Sequence, residues 1–173
     1  MKQFLFLSVL IFIGCKSEPE VIESTSENQK ESHTVTAKDI ENLEYTDYSL
    51  SPDSQQAVLD WQKYLDLQAN IELLKNANLS FFKVEKPIMQ EFIIELSTGQ
   101  PVILTTPAIR SRMTVLETNL LRLQDLANLD NIKKKELLEA IKECLIADVN
   151  LKLQLNKKFE KEAQQNQLRV KTE

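Results

Sequence analysis

The sequence predicts an all-α fold. It is an antiparallel helical bundle of three longer helices and one short helix over residues 51–173, after a disordered acidic linker. Three observations predict it. Apolar residues recur at spacings of three and four along most of the second half of the chain. A hydroxyl residue followed directly by proline marks two helix starts, Ser51-Pro52 and Thr106-Pro107. No proline or glycine occurs after Pro107, so nothing local breaks a helix beyond it.

Ser51-Pro52-Asp53 opens the first helix, residues 52–78. Val58, Trp61, Leu65, Ile71 and Leu74 recur on one side, interrupted only by Gln68, until Asn76-Ala77-Asn78. The short helix starts at Pro87, places Met89, Phe92, Ile93 and Leu96 on one side, and stops at Ser97-Thr98-Gly99. Gly99 is expected there in the left-handed cap conformation. Residues 79–84 and 102–105 are short apolar runs, readable either as a small β pair or as extended covering segments. In the third helix, Thr106 caps, and Ile109, Met113, Leu116, Leu120, Leu123 and Ala127 alternate spacings of four and three, the pattern of a bundle seam. The fourth starts at Asp130 or Asn131, carries Leu137, Ile141, Cys144, Leu151 and Leu155, and continues to about Gln167.

Asp148 breaks the seam of the fourth helix, where an apolar residue is expected. A lone buried carboxylate is costly, so two readings are open. Either Asp148 pairs with Arg110, Arg112 or Arg122 of the third helix, or Val149 turns inward and Asp148 sits at the edge of the stripe. Asp148 is thereby a candidate buried polar site.

No catalytic group can be assembled from the folded part. The single histidine, His33, lies in the linker, which denies the domain an imidazole for nucleophilic catalysis or a Cys/His zinc site. Gly99 is the only glycine after Gly14, so a phosphate-cradling loop cannot be built. Glu136, Glu139 and Glu143 share a helix face but interleave with Lys133, Lys135 and Lys142, the pattern of a solvated salt-bridged surface rather than a metal cluster. Cys144, on the apolar stripe, reads as a small buried hydrophobe. No metal and no cofactor are expected. Trp61, Tyr64, Phe81, Phe82 and Phe92 read as core, with an apolar ligand pocket as the alternative.

The linker, residues 15–50, is rich in Ser, Glu, Asn and Gln and has too little apolar surface to offset ordering entropy. From Val35 onward, Val35, Ile40, Leu43, Tyr45 and Tyr48 are available to dock part of it on the domain. Charge is uneven: Lys16 to Asp60 has three basic and eleven acidic residues, whereas Arg110 to Glu173 has thirteen and ten. No basic stripe interleaved with aromatics occurs, so nucleic acid is not an expected partner.

At the N-terminus, Lys2 precedes ten uncharged residues, Phe4 to Ile13, then Gly14 and Cys15. That stretch is about half of the roughly 20 apolar residues a membrane span needs. An ordinary secretory site wants small residues at both pocket positions, and Phe12 would occupy one. The segment resembles a bacterial lipoprotein signal peptide with its lipobox, Phe12 standing where Leu is commonest. The resemblance implies a signal peptide over residues 1–14 and cleavage between Gly14 and Cys15. It also implies lipid on the Cys15 sulfur, an acyl chain on its amine, and effectively permanent membrane attachment. Lys16 stands where the inner-membrane retention signal has Asp, which favours the outer membrane. Cys15-Lys16-Ser17-Glu18-Pro19-Glu20 is similar to the basic-then-acidic export tag of surface lipoproteins in Bacteroidetes-type bacteria, with Ser17 and Pro19 interrupting the acidic run.

Two functions fit these readings. The favoured one is an envelope lipoprotein with a non-enzymatic helical interaction domain, an adaptor or accessory subunit. The alternative is a carrier or sensor of a small apolar ligand inside the bundle, which requires an enclosed apolar cavity. The helix lengths carry the first. At 1.5 Å per residue a fourth helix over 132–167 is about 54 Å long, against about 40 Å for the first and about 33 Å for the third. Its last turns, with Leu155, Phe159 and Ala163 flanked by Lys157, Lys158 and Lys161, are a candidate docking surface for a second copy or another envelope protein.

Overall fold

Thr36 and Asp39 cap each other at the start of the first helix: the Asp39 amide donates to Thr36 Oγ1 at 3.3 Å, and the Thr36 amide donates to Asp39 Oδ2 at 2.7 Å. A computed structural model describes residues 34–172, and these are all helices, turns and irregular segments. The helices are α1 (Ala37–Glu41), α2 (Pro52–Ala57), α3 (Gln62–Lys75), α4 (Lys86–Thr98), α5 (Pro107–Ala127) and α6 (Lys134–Thr172). Single 3-10 turns lie at Ser80–Phe82 and Val102–Leu104.

The last four helices form an up-and-down bundle. Lys86 pairs with Asp125 at 2.9 Å and Ser97 bonds Glu117, so α4 and α5 run in opposite directions. A short connection turns α5 back onto α6, against which it packs along its length. Gln68 meets Asp148, and α3 packs on α4. The core holds Trp61, Leu67, Ile71 and Leu74 from α3 and its cap, with Met89 and Leu96 from α4. Ile109, Leu116, Leu120 and Leu123 of α5 meet Ile141, Cys144, Leu151 and Leu155 of α6 there. Burial of these side chains supplies most of the stability.

The first predicted helix, 52–78, is split. Residues 58–61 form a turn, Trp61 has non-helical ψ of 73°, and its indole Nε1 donates to the Leu96 carbonyl at 2.8 Å. That carbonyl belongs to the last turn of α4, where no intrahelical donor remains. Tying Trp61 to α4 outweighs continuing one helix.

Three further expectations change. Residues 79–84 and 102–105 are neither a β pair nor extended covers, but 3-10 turns. The carbonyls of Phe82 and Val84 accept from the Asn128 amide, and Val84 accepts from Gln124 Nε2 at 2.8 Å, so α5 side chains take the bonds a strand would need. Gly99 has φ of −78°, not a left-handed value; the left-handed residue is Ala77, φ 61°, just after α3. A Cβ at Gly99 would meet the Glu95 carbonyl at 3.0 Å and the Trp61 ring at 3.8 Å, so close packing is what the glycine serves there. The last helix starts at Lys134, four residues beyond Asp130.

The packed part reaches back to Val35. Val35 and Ile40 are buried, Leu43 and Tyr45 pack partly against the core, and Tyr48 is exposed. Asp39 Oδ2 pairs with Lys134 Nζ at 2.8 Å at the start of α6, and Asp47 pairs with Lys75 at 2.7 Å. Further along α6, the Asn156 side chain accepts from the Ser51 amide at 2.7 Å and donates to the Ser49 carbonyl at 2.8 Å. Residues 39–51 therefore run alongside α6 from its first turn to Asn156.

Candidate functional site

The structure offers two places for function: a polar pair inside the bundle and the far end of α6. Asp148 is 1% exposed. Its Oδ1 accepts from Gln68 Nε2 at 2.6 Å, and its Oδ2 pairs with Lys152 Nζ, one turn on in α6, at 2.8 Å. The first reading of Asp148 is thus replaced and the second holds in part: Val149 does turn inward, 6% exposed, but Asp148 is buried as well. Its partners are Gln68 and Lys152, not Arg110, Arg112 or Arg122, which are all exposed, and it sits inside the core rather than at its edge. Gln68, the one polar break in the first predicted helix, was the signal that could have found this pair.

Tyr64 and Cys144 lie near the charge. The Tyr64 hydroxyl is buried without a hydrogen-bond partner, and burial, reinforced by the Asp148 carboxylate, holds its proton far above the ordinary tyrosine range. Burial, again reinforced by Asp148, pushes the Cys144 thiol well up, which keeps it protonated and unreactive. This cluster contains a paired carboxylate, a paired ammonium and two protonated weak acids. Both oxygens of its carboxylate are taken, by Gln68 and by Lys152.

The aromatic residues face one another. Trp61 stacks on Tyr64 at 4.9 Å, and the Phe81 ring meets Phe82 and Phe92 edge-on at 5.1 and 4.9 Å. Two open clefts lie elsewhere. One of about 610 Å³ is lined by Val35, Leu79, Lys83, Leu129 and Ile132, and one of about 450 Å³ lies between α1 and the end of α3, beside Tyr45 and Lys75. Both open to solvent. Among the described residues, no three His, Cys, Asp or Glu side chains gather where they could hold a metal ion, and Glu136 and Glu139 lie beside Arg122, Lys133 and Lys135 on a shallow surface.

At the far end of α6 the predicted docking residues separate. Leu155 is fully buried and belongs to the core, so it cannot form a docking surface. Phe159 is partly buried against the core, with the Lys158 ammonium 4.0 Å from its ring centroid. Ala163 is exposed, and so is every residue from Glu160 to Val170, Val170 at 76%. The helix outlasts its neighbours by geometry. Its 39 residues span about 58 Å, whereas the 21 of α5 span about 31 Å. The exposed end is opposite the end at which Thr34 and Val35 join the bundle beside Ile132 and Leu137.

Gly14 and Cys15 lie outside the described residues. Among the described residues no helix is long and apolar enough to cross a membrane. Comparison with family models, curated proteins and solved structures gives no match to this chain.

Proposed function

We propose that this chain is a lipid-anchored bacterial envelope lipoprotein whose helical domain is a non-enzymatic interaction module, an adaptor or accessory subunit. In this reading Cys15 carries the anchor, with the outer membrane as its site and the domain facing the periplasm or the cell surface. Docking uses the end of α6. One observation carries it: residues 160–170 continue α6 as helix with every one of them exposed. Exposed turns at the end of a helix gain little from tertiary packing, and partner contacts are one source of such stability.

Thr34 and Val35 join the bundle beside Ile132 and Leu137, near the start of α6, and the exposed end lies at the other extreme of that helix. A carrier function has less support, because the aromatic side chains pack on one another and the described clefts are open.

Truncating the full-length protein after Glu162 tests the reading. The Lys158–Glu162 pair and the Phe159 packing are retained, so thermal melting should change little, while self-association or partner capture is lost. An unchanged mass by light scattering together with an unchanged set of captured envelope proteins would refute it.

A further inference from the structure

From Leu96 to Ile109 the sequence carries no charged residue, and the middle of that run is turned outward. Leu104, fully buried, fixes the 3-10 turn Val102–Leu104 to the bundle between α4 and α5. Val102 and Ile103 project from it, 88% and 58% exposed. Water is a poor neighbour for such a pair.

The backbone of the turn is satisfied from within. The Leu104 amide donates to the Pro101 carbonyl at 2.8 Å, and Pro101 has no amide to satisfy. The Val102 carbonyl accepts from the Thr105 amide at 3.1 Å and from Thr105 Oγ1 at 2.6 Å. The Leu104 carbonyl accepts from the Thr106 amide at 3.0 Å and from Gln100 Nε2 at 3.1 Å. A turn that stays in water does not need these side-chain bonds. One that leaves water does, because a bare carbonyl in an apolar medium is costly.

Charge indicates which medium. Arg110 and Arg112 follow the run in the first two turns of α5, both exposed, and among the described residues neither side chain has a partner. The nearest acidic residues in the sequence are engaged, Glu95 by Lys63 at 2.6 Å and Glu117 by Ser97. Two projecting side chains bury far less than the roughly 1,000 Å² of a stable protein interface. Apolar side chains beside unpaired cations do match the headgroup region of a negatively charged bilayer. We infer that Val102 and Ile103 dip into a lipid surface bearing negative headgroups, with Arg110 and Arg112 against the phosphates.

α6 continues past the bundle at the same end, so the contact is made with the bundle tilted, the corner between α4 and α5 towards the lipid. The contact is weak alone, and lipid on Cys15 supplies the effective concentration that populates it. The inference therefore rests on the anchored reading and is separate from the docking role of the α6 end.

The test uses the full-length lipidated chain in vesicles, with a nitroxide on Val102→Cys or, as control, on Leu129→Cys just beyond the other end of α5. Cys144 is buried and stays unlabelled. Collision with oxygen, which concentrates in lipid, against collision with a water-soluble nickel chelate reads immersion. In vesicles of phosphatidylglycerol and phosphatidylcholine the label at 102 should be immersed and the label at 129 should not. In phosphatidylcholine alone, or with Arg110→Glu and Arg112→Glu together, the immersed fraction should fall about tenfold. Ile103→Asp should lower it as far. Flotation with the vesicles, which reads the Cys15 anchor, should stay unchanged in every variant. A chain that floats with labels equally wet at 102 and 129, or immersion indifferent to both headgroup charge and arginine reversal, would overturn this inference alone. A label at 102 that is wet in vesicles but shielded in native envelopes would assign the turn to a protein partner and overturn it too. A wild-type chain that does not float would remove the anchored reading and this inference with it.

Discussion

Gln68 Nε2 donates to Asp148 Oδ1 at 2.6 Å, joining the middle of α3 to the middle of α6. With Lys152, on the same helix as Asp148, on the other carboxylate oxygen and Gln68 reaching across the core, the carboxylate is fully satisfied only when α3 sits in one register. Asp148→Ala should destabilise the protein by about 3 kcal/mol or more, because it leaves the nearly buried Lys152 without its counter-charge. Asp148→Leu combined with Lys152→Leu should cost far less, because neither charge is then buried. Denaturant unfolding of the single and double variants checks the pair. A double variant as unstable as the single would mean that packing, not the unpaired charge, sets the loss.

Leu120 lies fully buried in the α5 seam, facing the longest helix contact of the bundle. Leu120→Asp places an unpaired carboxylate there and should cost about 4 kcal/mol, combining lost burial with desolvation. Chemical denaturation followed by circular dichroism measures it, and a loss under about 1 kcal/mol would show that the seam does not carry the fold.

Acid should release α1 late. Hydrogen bonds from Lys134 and Thr36 hold the Asp39 carboxyl down to about 2 from its ordinary 3.8. A depressed carboxylate contributes stability above its unfolded value, and loses it as pH falls through the folded one. The docking of α1 should thus be complete above about pH 4 and fall away towards pH 2. The side-chain methyl resonances of Val35 and Ile40, both buried, should report it. Asp39→Asn should loosen the same two residues at neutral pH.

The anchor is tested by Cys15→Ser, which should block lipid transfer and leave the unprocessed precursor. Intact mass and detergent partitioning of the wild-type and variant proteins read this. A variant still cut at the same place, with no change in lipid content relative to wild type, would contradict the lipobox reading.

The long seams of α5 and α6 were legible in the sequence because spacing alone sets which residues face a partner: Ile109, Met113, Leu116, Leu120 and Leu123 are all buried. Thr106 and Ser51 cap as their sequence context predicts, each accepting from the amide three residues on at 3.3 Å. The break at 58–61 was not legible. No proline or glycine marks it, and its cause, the indole of Trp61 on the Leu96 carbonyl, is a contact between residues far apart in the chain. The 3-10 turns were hidden for a related reason, since an apolar run of three to six residues does not tell strand from helix. The overhang was legible from helix length, but its starting point was not. Leu155 looks like the rest of the stripe, and only the packing of Ser49 and Ser51 on Asn156 shows that the bundle extends that far.

The most direct test of the central claim, that the end of α6 is a docking surface, is hydrogen exchange along that helix in the lipidated full-length chain. Native envelope membranes are compared with dilute detergent solution. Residues 163–170 should exchange about tenfold more slowly on the membrane, while residues 137–155, already buried in the bundle, stay unchanged. Equal, fast exchange over 163–170 in both conditions would contradict the claim.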